Sequence, residues 1–291
     1  MSGGFVGLLP AAGRGTRLAP LRYPKELLPI VYEPVGGDGT GVRARAVAEY
    51  ALASIAAADV ERVLLVVAPW KLDVLNYFGD GRHVGLEIGY LYQEEARGLP
   101  HALDLARNWT RGEHVVFAMP DTVTAPGDAL ARLRERYLET GADLALAVFP
   151  TAEPERLGPV LLDGERVVQV LDKPRHAPVG NTWGAAIWSD AFADLLHQGL
   201  AELADAELAD AGHPDAGHPD GGTGTGAEPA IGHFFDLAVR RGLKVTGVAF
   251  PGGAFEDAGT RVGIQRCLDA RPQTVPAPHP DLVGADSASR T

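Results

Sequence analysis

Short apolar runs alternate with longer stretches of helical periodicity through the first half of the chain. "FVGLLPA" is followed by "RARAVAEYALASIAAA", "VERVLLVVAP" by "WKLDVLNYF", and "LEIGYLYQ" by "LPHALDLARNW". The pattern continues through "EHVVFAMPD", "GDALARLRERYLETG" and "DLALAVFP". Near-continuous apolar strands are buried on both faces, and the intervening helices are what cover them. The alternation predicts an α/β fold built on a doubly wound, mostly parallel sheet, whose ligand site lies at the carboxyl ends of the strands.

After Pro150 the pattern changes. "PVLLDGERVVQVLDKP" reads as two strands around an Asp163-Gly164 turn, and "TWGAAIWSDAF" as a strand entering a helix, so antiparallel strands are expected beside the parallel ones. The 291 residues suffice for one full core, and one domain over 1–270 is expected. Residues 200–227 duplicate AELAD and AGHPD and end in a Gly/Thr run, which reads as a flexible insert with at most a little helix at "LAELADAELAD". His213 and His218 lie in it, five residues apart among Gly, Pro and Asp, and read as solvated rather than metal-binding. Residues 271–291 read as a disordered tail.

A formal net charge of -12 argues against a nucleic-acid groove or an anionic membrane as partner, since both demand a dense basic surface. The single cysteine, Cys267, excludes an internal disulfide and reads as a small core residue. No basic lead precedes the first apolar run and no stretch approaches membrane-spanning length, so a cytoplasmic protein is expected.

Against that acidic background, residues 8–30, "LLPAAGRGTRLAPLRYPKELLPI", gather three Arg and a Lys around two glycines. A strand ending near Leu9 feeds Gly13 and Gly15 into a turn whose amides can approach a polyphosphate, with Arg14 and Arg17 to neutralise it. The spacing matches neither the dinucleotide fingerprint nor the P-loop. Further on, Asp121 ends an apolar strand, where a carboxylate can hold Mg²⁺ against phosphates; its bland role would be to cap a turn. Gln93 alone would read as a polar strand end. Asp257 alone would read as a helix cap, with Thr260 an equal claimant.

The order of these pieces carries more. "Arg17-Leu-Ala-Pro" with "Pro24-Lys25-Glu26-Leu-Leu-Pro29", then "Tyr92-Gln93-Glu94-Glu95-Ala-Arg-Gly98", "Met-Pro120-Asp121-Thr122", "Leu171-Asp172-Lys173-Pro174" and "Phe255-Glu256-Asp257-Ala258-Gly259-Thr260" resemble, in sequence order, the motifs of the sugar nucleotidyltransferases. That family includes the glucose-1-phosphate thymidylyltransferases and uridylyltransferases. The resemblance runs from about Phe5 to about Cys267. It implies the Rossmann-like nucleotidyltransferase fold with a small antiparallel sugar-binding part, and an enzyme that joins a nucleoside triphosphate to a sugar 1-phosphate and releases pyrophosphate.

By the same resemblance Leu9, Ala11, Ala12, Gly13, Gly15, Thr16, Gln93 and Gly98 bind the nucleotide, and Arg17 and Lys25 act on the leaving pyrophosphate and the α-phosphate. Asp121 and Asp257 hold Mg²⁺, while Gly158, Asp172, Lys173 and Trp183 face the acceptor, with Lys173 on its phosphate. The amide of Gln93 offers the donor and acceptor that uracil or thymine needs, which favours dTTP or UTP. Members of the family form dimers or tetramers, so a homo-oligomer is open.

Four features depart from the family: Asp172 stands for its usual Glu, and Pro120 and Thr122 flank the metal-site Asp. Trp183 stands for a smaller residue, and "Ala230-Ile-Gly-His233" replaces a Glu-x-x-Asp whose role could pass to Glu228 or Asp236. Two alternatives stay open: cytidylyl or other nucleotidyl transfer to a non-sugar phosphate or phosphonate, and a catalytically silent nucleotide-sugar sensor.

Overall fold

The computed structural model describes residues 3–35, 41–211 and 230–269. Apolar strand β1 (Phe5–Pro10) runs into the glycine loop, and a hairpin follows, β2 (Pro29–Val35) with β3 (Gly41–Ala46). Then come α1 (Ala48–Ala56), β4 (Arg62–Val67), α2 (Leu72–Phe78), β5 (Glu87–Tyr92), α3 (Leu99–Asp104) and β6 (His114–Ala118). Strand β7 (Thr122–Ala125) precedes α4 (Ala129–Thr140) and β8 (Leu144–Pro150). The second half holds β9 (Val160–Asp163), β10 (Arg166–Val170), β11 (Asn181–Trp188), α5 (Asp190–Ala211), α6 (Ile231–Arg240), β12 (Val245–Ala249), β13 (Ala254–Asp257) and α7 (Arg261–Asp269).

Nine strands form one sheet in the order β5-β4-β1-β6-β11-β8-β12-β10-β9. β4, β1 and β6 are parallel neighbours, as are β8 and β12; β10 and β11 run against the rest. The mostly parallel α/β sheet expected from the alternation is therefore present, as is the Asp163-Gly164 hairpin, where Gly164 takes the left-handed φ of 61° that such a turn needs. Side chains on alternate positions of β1 enter opposite cores. Leu8 and Ala12 pack with α3, α5 and α6, whereas Leu9 and Ala11 pack with α1 and α4.

Two expectations change. Helical periodicity was expected from Arg43 onward, but residues 41–46 form β3, because alternate arginines meet charges across the hairpin: Arg43 pairs with Glu33 opposite it and, at 2.8 Å, with Glu49 of α1. The start of the proposed insert, 200–211, continues α5 as helix; the rest of it, with His213, His218 and Glu228, lies outside the described residues, as does the tail. Cys267 is buried in a small core beneath the hairpin, and burial pushes its thiol up to about 12. No helix among the described residues is long and apolar enough to cross a membrane.

Candidate active site

Loops at the carboxyl ends of β1, β5 and β6 surround a cleft of about 620 Å³. Gly13, Gly15, Thr16 and Lys25 line it from the glycine-rich side, and Gln93 and Gly98 from the loop after β5. Gly15 has φ 67° and opens the short 3-10 turn Thr16–Leu18; Gly98 has φ 90° and opens α3, so both sit in backbone regions that side chains rarely tolerate. A Cβ on Gly13 would meet nothing within 4 Å, which leaves that amide approachable. Of the residues expected on the nucleotide, Ala12 lines the cleft, while Leu9 and Ala11 do not, because the strand's alternation turns them into the α1 core. Pro10, Arg14 and Met119 line it in addition. Arg14 lies 4.1 Å over the ring of Trp70 in the turn after β4.

A second cleft, of about 750 Å³, adjoins the first and shares Gly13, Gly15, Thr16, Lys25 and Met119 with it. Its far wall carries Gly158, Asp172, Lys173 and Trp183, so all four residues expected at the acceptor are brought together. Lys173 is held at φ 42°, an uncommon conformation for a long side chain, and its amide donates to Leu157 O at 2.9 Å. Asn181 accepts from the amide of Val160 at 2.8 Å and donates to its carbonyl, and Thr182 accepts from the amide of Gly158, so the start of β11 clasps the 158–160 strand.

That clasp seats the Trp183 indole directly on Gly158: a Cβ there would lie 2.1 Å from Nε1. The indole is braced by Phe235, edge to face at 5.3 Å, and by Phe117. Asp236, a candidate for the missing acidic pair, is occupied elsewhere: it accepts from the amide of Val170 and pairs with Arg240 at 2.8 Å, which ties α6 to β10. Ala230 and Ile231 stand at the cleft instead.

Asp121 and Asp257 meet in the lining of the second cleft although they lie far apart in the sequence. β13 pairs antiparallel with β7 so that Asp257 stands opposite Thr122, and the amide of Ala258 donates to Asp121 O at 2.8 Å. Thr260, not Asp257, caps α7: its hydroxyl accepts from the amide of Gly263 at 3.0 Å. A Cβ on Gly259 would lie 2.5 Å from Asp121 Oδ2, 2.7 Å from Asp257 Oδ1 and 2.9 Å from Arg17, so only glycine lets these groups converge.

Each carboxylate is paired with a cation. Lys25 donates to Asp121, and Arg17 to Asp257 at 2.9 Å. Burial alone would raise the Asp121 carboxyl, but Lys25 and then Arg17 outweigh it and hold it below the usual range. Burial likewise opposes the charge on Lys25, and Asp121 and Glu26 overcome it and hold its ammonium above the ordinary range. Among the described residues no group of three or more His, Cys, Asp or Glu is gathered around a metal position. Two carboxylates aimed at one small volume beside two cations do suit Mg²⁺, which is ordinarily held by one or two carboxylates together with substrate phosphates.

The sequence profile of the nucleotidyl transferase family matches residues 6–209. A glucose-1-phosphate thymidylyltransferase of Streptomyces antibioticus is 31% identical over 173 residues, 58% of this chain and 45% of that protein. The low-salt glycan biosynthesis nucleotidyltransferase Agl11 of Haloferax volcanii is 26% identical over 197 residues, 66% of this chain and 51% of its own. The chain thus spans about half the length of these relatives. A UTP-bound UGPase from Acinetobacter baumannii superposes with a TM-score of 0.69 at 17% identity, covering 92% of this chain and 93% of that one, and shares the fold. With its family match spanning most of the sheet, from β1 into α5, the chain belongs to the nucleotidyl transferase family.

Proposed function

We propose that this protein is a magnesium-dependent enzyme that couples a nucleoside triphosphate, dTTP or UTP, to a sugar 1-phosphate and releases pyrophosphate. The observation that carries the reading is the convergence of Arg17, Lys25, Asp121 and Asp257 on the second cleft, where Lys25 also lines the first. Two clefts suit two substrates, and the charges stand where a triphosphate in one would meet an acceptor in the other. A solved UDP-glucose pyrophosphorylase complexed with UDP-glucose shares the fold, at a TM-score of 0.70 and 20% identity.

An acceptor phosphate oxygen forms a bond to the α-phosphorus, the bond to the bridging α,β-oxygen breaks, and its electron pair leaves on pyrophosphate. The nucleophile is already anionic, so the protein's task is positioning and charge neutralisation. Gly13 and Gly15 leave their amides open to the phosphates, and Gln93 reads the pyrimidine edge. Phosphate oxygens replace the carboxylates as partners of Lys25, at the α-phosphate, and of Arg17, at the departing pyrophosphate. Lys173 holds the acceptor phosphate. Asp121 and Asp257 would hold Mg²⁺, which supplies Lewis-acid neutralisation of the phosphate oxygens when bound.

The Trp183 indole resting on Gly158 favours a second reading of the acceptor, a non-sugar phosphate or phosphonate. Pyrophosphate release measured for UTP, dTTP, CTP, GTP and ATP against hexose 1-phosphates, phosphate monoesters and phosphonates tests both. Turnover of UTP or dTTP with a hexose 1-phosphate is expected. Turnover confined to CTP or to non-sugar acceptors would transfer the assignment to the second reading, and tight nucleotide binding without release from any acceptor would make the protein a sensor.

A further inference from the structure

A second ion pair lies next to Lys25, and neither of its side chains lines either cleft. Lys71 donates to Glu26 Oε2 at 2.5 Å; Glu26 is 0% exposed and Lys71 3%. The other carboxylate oxygen of Glu26 is buried with no hydrogen-bond partner among the described residues. Removing two charges from water for one contact adds little net stability, and a well-packed apolar pair would serve the fold as well or better. An unsatisfied buried oxygen makes the arrangement worse still as a staple.

The pair's position explains it better than its energy does. Glu26 follows Lys25 in the short 3-10 turn Lys25–Leu27, which the amide of Leu28 closes on Lys25 O at 3.1 Å. Lys71 ends the 3-10 turn Pro69–Lys71 behind β4, the turn whose Trp70 carries the Arg14 guanidinium. Three ion pairs therefore follow one another through the site, Lys71 with Glu26, Lys25 with Asp121 and Arg17 with Asp257; Glu26 adjoins Lys25 along the chain, and Asp121, Asp257 and Arg17 all approach Gly259. Without Lys71, the Glu26 carboxylate would be buried with no partner, and the turn that carries Lys25 would have to move to bring it to water. Without Glu26, the Lys71 ammonium would be stranded in the same way, and the turn would lose the side-chain contact that holds it to the segment after β4.

We infer that Glu26 and Lys71 are positioning residues, a buried ion pair that fixes the turn carrying Lys25 and so aims its ammonium at the α-phosphate. The inference rests on the nucleotidyltransferase reading of the site and adds to it two residues outside the clefts.

The test is the full-length Glu26→Met/Lys71→Met protein, in which the pair becomes apolar at similar volume, with Glu26→Gln as a second variant in case the double one does not fold. Thermal melting, pyrophosphate release from UTP and glucose 1-phosphate, and the ³¹P spectrum of protein-bound UTP are measured for each. The double variant should melt at or above the wild-type temperature, yet lose on the order of 100-fold in kcat, as a displaced catalytic cation would cost. KM for UTP should stay within about threefold, since Arg17 and the glycine amides still bind the ground state. The bound α-phosphorus resonance should move toward its position in free UTP while the β and γ resonances stay. A folded variant with wild-type kcat and a wild-type α resonance overturns the inference and leaves the functional reading intact. If the wild-type protein binds UTP but turns nothing over, the functional reading fails and the α resonance alone decides the inference. A wild-type protein that does not bind UTP sinks both.

Discussion

The two halves of the site are built by different means. The first cleft, the proposed nucleotide half, hangs from the carboxyl ends of parallel strands, and most of its groups come from one continuous stretch, residues 8–30, with Gln93 and Gly98 from the next loop but one. The far wall of the second cleft, the proposed acceptor half, is assembled from antiparallel β9, β10 and β11, the start of α6 and β13, with residues spread from 155 to 257. Where a local turn presents a charge, the residue type and its neighbours disclose the role. Where strands distant in sequence must meet, the role belongs to the contact and neither partner discloses it alone.

The sharpest way to probe the nucleotide half is to remove its two cations separately. Asp121 is buried and Lys25 largely so, whereas Arg17 is mostly exposed. Lys25→Ala and Arg17→Ala should each lower kcat by about 100-fold, the usual cost of one lost electrostatic contact to a transition state. Their stabilities should part. Stranding Asp121 as an unpaired buried charge should cost about 3–5 kcal/mol, while losing the exposed Arg17–Asp257 pair should cost no more than ~1 kcal/mol. Urea melts beside pyrophosphate-release assays measure both, and equal destabilisation by the two substitutions would show that the pairs do not differ as their burial says.

The acceptor half should answer to packing rather than charge. Gly158→Ala places a methyl where the Trp183 indole sits, so the ring must shift, and overpacking of this kind costs about 1–3 kcal/mol. KM for the acceptor should rise about tenfold, since a 1.4 kcal/mol loss of binding is that factor, while KM for the triphosphate stays put. Trp183→Phe is milder: the ring shrinks but keeps its contacts with Phe117 and Phe235 in part, and the readout is a changed order of preference among acceptors rather than a uniform loss. An unchanged order in Trp183→Phe would leave the indole a structural wall only.

How much of this was legible follows the same division. The parallel sheet was readable because buried strands and their covering helices repeat at a fixed rhythm, and the glycine loop because excess positive charge in an acidic chain needs a reason. The hairpin over 29–46 was missed because "RARAVAEY" satisfies a helical period as well as a strand period, and only Glu33 across the hairpin settles it. The mutual seat of Trp183 and Gly158 depends on a β-bulge at Gly184, where a Cβ would lie 2.8 Å from Phe149 and 2.9 Å from Phe255, and no local signal announces it. The Glu26–Lys71 pair spans 45 positions, and Lys71 by itself reads as the polar face of a helix.

The amino-terminal end of β6, opposite the site, supplies the smallest effect and a control for both halves. His114 is buried there, shares a hydrogen bond with the Tyr137 hydroxyl at 2.8 Å, and lies tilted beside Phe5 with ring centroids 5.1 Å apart. Burial disfavours its charged form and holds its pKa below the ordinary 6.5. In the window between the folded value and 6.5 the unfolded chain binds a proton that the folded chain refuses, so stability rises with pH there. His114's contribution is complete above 6.5, falls as the pH drops through that value, and is lost once the pH passes below the folded pKa. His114→Gln has no proton to gain at that position, so between pH 7.5 and pH 5 its melting temperature should fall less than that of the wild type. Its kcat at pH 7.5 should be unchanged, because β6 delivers only its other end to the site. Parallel melting curves for the two proteins over that range would contradict the assignment, and a loss of kcat at pH 7.5 would mean that the two ends of β6 are not independent.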